Sequence, residues 1–193
     1  MKIKEPASKQ PIPPHAKRVF KGKIFDVYHW EQKLFDGSTA TFEKIKRQDT
    51  VNVFPVTKEG KIILSQQRQP GGKGFIGCLG GRIDKGETPL ETAKRELLEE
   101  AGLKAKTWLL WDARHLLGKI DWAIYTFVAK DLKKVGKIQS DAGEKIKLIQ
   151  VSFEQFLKTV TRDNYRDIEI ALMLLKAKED PKKLSKIKEL LLK

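Results

Sequence analysis

Residues 80–103 read GGRIDKGETPLETAKRELLEEAGL and set Glu87, Glu91, Glu96, Glu99 and Glu100 within a short stretch of a 193-residue chain of formal net charge +14. The second half of the stretch spells a helix. Thr88 suits the N-cap, Pro89 the first helical position, and Glu91 completes a capping box with Thr88. Leu90, Ala93, Leu97 and Ala101 recur at helical spacing, and Gly102 is a left-handed stop. Glu91 is thereby explained, and it also stands four residues before Arg95. Glu96, Glu99 and Glu100 are not explained by helix stability. At i, i+3 and i+4 their carboxylates share a face, where each like-charge pair costs about 0.2–0.5 kcal/mol. Glu99 and Glu100 also occupy the last turn, where the helix dipole disfavours negative charge by roughly 0.3–1 kcal/mol. A hard divalent cation among the carboxylates removes these costs and bridges to phosphate oxygens. On these residues alone, a cation-binding face and a merely solvated acidic face both remain open.

Outside this stretch the chain reads as one domain with a core of its own, 40% hydrophobic and 33% charged. Its apolar runs are too short to span a bilayer. The N-terminus MKIKEPASKQPIPPHAKR lacks the apolar segment of a secretion signal. The single Cys78 excludes an internal disulfide and fits a reducing compartment, so the cytoplasm is expected. His15, His29 and His115 are isolated and lack zinc-ligand spacing. The lysines are spread along the chain and read as a solvated surface, with RNA as the competing polyanionic partner.

Residues 1–18 read as an extended arm, followed by two strands turning at Asp36-Gly37. TVNVFPVT and KIILSQQR read as a second hairpin around residues 58–60. QPGGKGFIGCLGG is a glycine-rich loop, but without Gly-Lys-Ser/Thr it is no P-loop. KTWLLWDARHLL, DWAIYTFVAK and IKLIQVS read as strands, with a polar loop over 131–145 before the last. Helices are expected over 152–160 and 164–178. A basic amphipathic helix over 181–193 follows, striped by Leu184, Ile187 and Leu191. Strands on both sides of one strong helix predict an α/β domain with a mixed sheet. The expected division is an N-terminal arm and hairpin (1–48), a main domain (49–180) and the C-terminal helix (181–193).

The stretch resembles the Nudix box, whose fixed positions are matched by Gly81, Glu87, Arg95, Glu96, Leu97, Glu99, Glu100, Gly102 and Leu103. The flanks, FEKIKRQDTVNVFPVTKEGKIILSQQRQP before it and DAGEKIKLIQVSFEQFL after it, are similar to the ADP-ribose pyrophosphatase branch. The resemblance implies an α/β/α Nudix sandwich with a mixed β-sheet and a small N-terminal β appendage. It further implies hydrolysis of the diphosphate bond in a nucleoside diphosphate sugar, ADP-ribose first, giving AMP and ribose 5-phosphate. Two or three Mg²⁺ (or Mn²⁺) ions would be held by Glu96, Glu99, Glu100 and the Gly80 carbonyl. Arg95 would orient the glutamates, and Glu87 would brace the loop against the helix. Arg47 and Arg68 would clamp ribose and phosphates, suiting the bidentate geometry of guanidinium. Glu144, with Asp141 as substitute, would serve as general base or position the water. The branch also implies a homodimer joined through the N-terminal strands, with Trp30, or second Tyr28, stacking on the base. One feature departs from the branch. Its proline-containing turn after the box is missing from DARHLLGKIDW, which opens a GDP-hexose as alternative substrate. An RNA 5′-end pyrophosphohydrolase and a non-catalytic nucleotide-binding module also stay open.

Overall fold

The computed structural model describes residues 3–116, 118–139 and 145–193. Its first sheet comes from the N-terminal quarter. β1 (Lys17–Lys21) pairs antiparallel with β2 (Phe25–Lys33), which pairs antiparallel with β3 (Thr39–Arg47). β1 begins where the sequence suggested only an extended arm. The β2–β3 turn falls at Asp36-Gly37, with Gly37 at φ 88°. The expected hairpin is therefore present.

β4 (Thr50–Pro55) and β5 (Ile62–Arg68) follow, and here the sequence reading needs correction. The expected turn is there, closed by a Val56–Ile62 bridge and by the Thr57 N–H donating to the Lys61 carbonyl at 2.9 Å, but beyond it the two strands enter different sheets. β6 (Phe75–Gly77) leads into α1 (Pro89–Ala101), then β7 (Leu103–His115), the short β8 (Ile120–Asp121), and β9 (Ala123–Lys134). β9 runs on through Lys134, into the expected polar loop. β10 (Lys145–Val151) precedes the helices α2 (Phe153–Thr159), α3 (Ile168–Lys178) and α4 (Pro181–Leu192). α3 starts four residues later than expected, because Tyr165 first bridges to Ile76 of β6 and Asp167 takes the cap position.

The hairpin reading failed because β4 has a better partner. It lies parallel to β9, which pairs antiparallel with β7, giving a mixed sheet ordered β4-β9-β7. Every residue of β4 is buried, as a strand covered on both faces requires. A second sheet is ordered β10-β5-β6, and β8 extends the first sheet parallel to β3. Alternate residues of the central strands feed two cores. Val51, Val53, Tyr125 and Phe127 pack with Ala93 and Leu97 of α1. Phe54, Val56, Leu64 and Val128 pack with Phe156, Ile170, Leu174 and Leu191 of α2, α3 and α4. Strand periodicity of two thus produces a layer with α1 on one face and three helices on the other.

Candidate active site

α1 is held at both ends by the sequence signals that predicted it. The Thr88 hydroxyl accepts from the Glu91 N–H at 3.3 Å, and the Glu91 carboxylate accepts from the Thr88 N–H at 2.8 Å. Gly102 terminates the helix at φ 65°. Arg95 does not pair with Glu91 as the sequence allowed. Its Nε and Nη2 donate to the two oxygens of Glu87 at 3.0 and 3.1 Å, and its Nη1 donates to Glu96 at 2.8 Å and Glu99 at 3.0 Å. Nη2 also reaches the Arg82 carbonyl. One guanidinium therefore gathers three box glutamates and ties the helix to the preceding loop, and these bonds raise its own pKa.

Hydrogen bonding from Arg95, then from Thr92, lowers the Glu87 pKa from the ordinary 4.5 to about 2. A carboxyl depressed on folding stabilises the fold above its unfolded pKa, and that contribution is lost as pH falls through the folded value. Between pH 4.5 and 2 the wild type is expected to lose stability more steeply than Glu87→Gln. Chemical denaturation at several pH values measures this, and parallel curves would show that the Glu87–Arg95 pair contributes nothing.

Burial, opposed by Arg95, raises the Glu96 pKa. Glu100 is 8% exposed and accepts from the Gly80 N–H at 2.9 Å and from Gln67 Nε2 at 3.4 Å. Gly81 leaves room for Glu96, since a Cβ there would lie 2.2 Å from the carboxylate oxygen. Glu96, Glu99, Glu100 and Gly80 all line one cavity of about 620 Å³. Arg47, Arg82 and Arg166 line the same cavity. Burial, with Arg82 and Arg166 as like charges, lowers the Arg47 pKa. Its guanidinium lies 4.1 Å from the centroid of the Trp122 ring, and its buried Nε has no partner among the described residues. The lining thus includes an acidic wall from α1 and an arginine wall in which Arg82 and Arg166 act on the charge of Arg47.

Among the described residues no three His, Cys, Asp or Glu side chains are grouped to enclose a metal ion. The largely buried carboxylates of Glu96 and Glu100, with the more open Glu99, nevertheless suit a hard cation of the Mg²⁺ type, which takes one or two carboxylates and completes its shell with water and phosphate oxygens.

Other residues named from sequence fall elsewhere. Arg68 is exposed and does not line the cavity; its neighbour Gln67 does, and adjacent strand residues face opposite ways. Trp30 is 6% exposed within β2, its ring tilted against Phe42, and does not line the cavity either. The cavity's tryptophan is Trp122, whose Nε1 donates to Thr50 at 3.0 Å. Asp141 and Glu144 lie outside the described residues, although Gln139 and Ile146 on either side line the cavity. Sequence reasoning missed Arg82, Arg166, Asn52, Asp167 and Glu169, which also line it. Asn52 carried a signal, being the one amide in the apolar run TVNVFP, since a polar residue in a buried strand is the informative kind.

Residues 46–170 match the NUDIX domain. The chain is 33% identical to an ADP-ribose pyrophosphatase of Bacillus subtilis (strain 168), covering 80% of this chain and 85% of that one. It is 30% identical to a methanol dehydrogenase activator of Bacillus methanolicus, over 84% of this chain and 90% of the other. The crystal structure of an ADP compounds hydrolase superimposes with a TM-score of 0.70 at 19% identity, covering 95% of this chain and 99% of that one.

Proposed function

The chain belongs to the Nudix family and is a Nudix pyrophosphatase, and on that footing we propose that it hydrolyses the diphosphate bond of nucleoside diphosphate sugars, with ADP-ribose as first substrate. The observation that carries this reading is that one cavity is lined both by the carboxylates Glu96, Glu99 and Glu100 and by the arginines Arg47, Arg82 and Arg166. Repulsion among the arginines is relieved by a bound polyanion, and repulsion among the carboxylates by a cation. A metal-bridged diphosphate meets both needs, and the similarity to an ADP-ribose pyrophosphatase supports ADP-ribose within that class.

In this reading Glu96, Glu99 and Glu100, with the Gly80 carbonyl, hold Mg²⁺ or Mn²⁺. When bound, the metal supplies charge neutralisation at the diphosphate and a coordinated water of lowered pKa. Arg95 fixes the orientation of the glutamates, as its bonds to Glu87, Glu96 and Glu99 allow. Arg47 binds phosphate, kept rigid by its seat on Trp122. Glu144, with Asp141 as the alternative, receives the proton of the attacking water. AMP and ribose 5-phosphate then leave as more highly charged products.

We extend the reading to a homodimer. Val19, Phe20, Ile24, Phe25 and Phe35 are exposed on and beside the first sheet, with Phe35 fully so. Such an apolar surface suits a second copy of the chain. No helix among the described residues is long and apolar enough to cross a membrane, and the lone buried Cys78 fits the cytoplasm.

Incubation with Mg²⁺ and ADP-ribose, GDP-mannose, a dinucleoside polyphosphate or 5′-triphosphate RNA tests the proposal. ADP-ribose is expected to yield AMP and ribose 5-phosphate. Cleavage of RNA alone would make the basic surface the better guide, and cleavage of nothing would sink the hydrolytic assignment.

A further inference from the structure

The cavity holds a third group that neither wall explains. Asn52, 9% exposed, stands two residues beyond Thr50 on β4, and Glu169 stands in the first turn of α3. Asn52 Nδ2 donates to Glu169 Oε1 at 2.9 Å, and both residues line the cavity. No other side chain among the described residues donates a hydrogen bond to Glu169. Arg114 is near enough to act on its charge but is itself bonded to Asp112. One N–H of the Asn52 amide is spent on Glu169, and the Glu169 carboxylate also accepts from its own backbone N–H. The pair therefore has more acceptor than donor capacity left: lone pairs of the carboxylate and the Asn52 carbonyl against one remaining Asn52 N–H.

Charge decides what occupies such a place. Glu169 is half-buried beside Asp167, and burial followed by that neighbour raises its pKa. A phosphate placed against two carboxylates would meet repulsion in a weakly screened setting. In the reading above the diphosphate lies with the arginines and with the glutamates that a cation would neutralise, which leaves the Asn52–Glu169 end to an uncharged part of the substrate. Along β4 the arginine wall and the Asn52 end are not far apart. Trp122, which seats Arg47, is bonded to Thr50, and residue 50 is separated from residue 52 by about 7 Å of strand. A substrate anchored by its diphosphate is long enough to place an uncharged end at Asn52 and Glu169.

Resting on the diphosphate-sugar reading above, we propose that Asn52 and Glu169 form a specificity subsite that accepts hydrogen bonds from the uncharged, donor-bearing end of the substrate. That donor is either the hydroxyls of the terminal sugar or the amino group of the base. A largely buried, acceptor-rich pair discriminates, because a ligand without donors leaves the Glu169 carboxylate and the Asn52 carbonyl without partners from the substrate. A purely structural role, tying α3 to β4, would bring no such discrimination.

The test is steady-state kinetics of wild type and Glu169→Gln on ADP-ribose and two analogues, with thermal unfolding alongside. One analogue lacks the 6-amino group of the purine, and the other carries a 2,3-dideoxy terminal ribose. In the variant the glutamine oxygen keeps the Asn52 bond and turns its amide N–H groups toward the substrate, so donor meets donor. The expected result is an increase of KM for ADP-ribose by about tenfold or more, with kcat within about threefold and Tm unchanged. One analogue should be similarly poor for wild type and suffer no further loss in the variant, which identifies the donor.

Unchanged KM in the variant overturns the subsite while the pyrophosphatase reading stands. Loss of Tm and kcat together, with both analogues penalised equally by the substitution, overturns it in favour of a structural tie. No turnover of any substrate by wild type overturns the diphosphate-sugar reading and the subsite with it.

Discussion

Glu100→Gln is expected to lower kcat on ADP-ribose with Mg²⁺ by about a thousandfold while shifting Tm by no more than about 5 °C. The carboxylate is 8% exposed, beside Glu96 and Glu99 on one helix face, and it lines the cavity. The Gly80 N–H can still donate to the glutamine oxygen as it does now to Glu100 at 2.9 Å, while the new amide N–H groups meet the Gln67 amide and cost part of the weaker 3.4 Å bond there. Removing the charge eases like-charge repulsion and the unfavourable end of the helix dipole, each worth a few tenths of a kcal/mol. A cation held by these glutamates would lose a charged ligand in a desolvated site. An interaction of that kind is worth several kcal/mol in the transition state, or roughly three factors of ten. Activity within tenfold of wild type would remove Glu100 from the metal site. A collapse of Tm would instead make the cluster structural.

Gly80→Ala is expected to destabilise the protein by about 4 kcal/mol and to lower Tm by roughly 10 °C, with activity falling in step. Gly80 has φ 138°, in a region reserved for glycine, and a Cβ there would sit 2.0 Å from the Val51 carbonyl oxygen. That oxygen belongs to the backbone of β4, so no side-chain rotation relieves the clash. Val51 and Val53 are also bonded to this segment, through Gly81 and Leu79, and these pairings would have to separate. Gly86 is the control. It too has a positive φ, 94°, but nothing lies within 4 Å of its Cβ position. Gly86→Ala should cost only the backbone strain, about 1–2 kcal/mol. Equal losses in the two variants would refute the close-approach argument.

Both predictions rest on residues that the sequence had already singled out, and the reason lies in how local their signals are. Thr88, Pro89, Glu91 and Gly102 define α1 through contacts within a turn of one another, so the helix could be read without knowing its neighbours. The spacing of Glu96, Glu99 and Glu100 then fixed which face was acidic. Where pairing is remote the reading failed. β4 and β5 look like a hairpin because a turn joins them, yet β4 prefers β9, some seventy residues away, which buries it on both faces. Nothing in the local pattern distinguishes these pairings, since both satisfy the same strand propensity.

The same division runs through the cavity. The acidic wall comes from one helix and was legible as such. The cationic wall comes from β3, the loop before α1, and the turn before α3, and only the packing of sheets and helices brings Arg47, Arg82 and Arg166 together. Trp122 illustrates the limit, because its place under Arg47 follows from strand order and facing that the local sequence does not show. Sequence by itself determined the helix, its caps and its carboxylate face, because short-range hydrogen bonds and a 3.6-residue period are written along the chain. The tertiary structure alone decided what shares the cavity with those carboxylates, because strand order and facing are set by burial summed over the whole core.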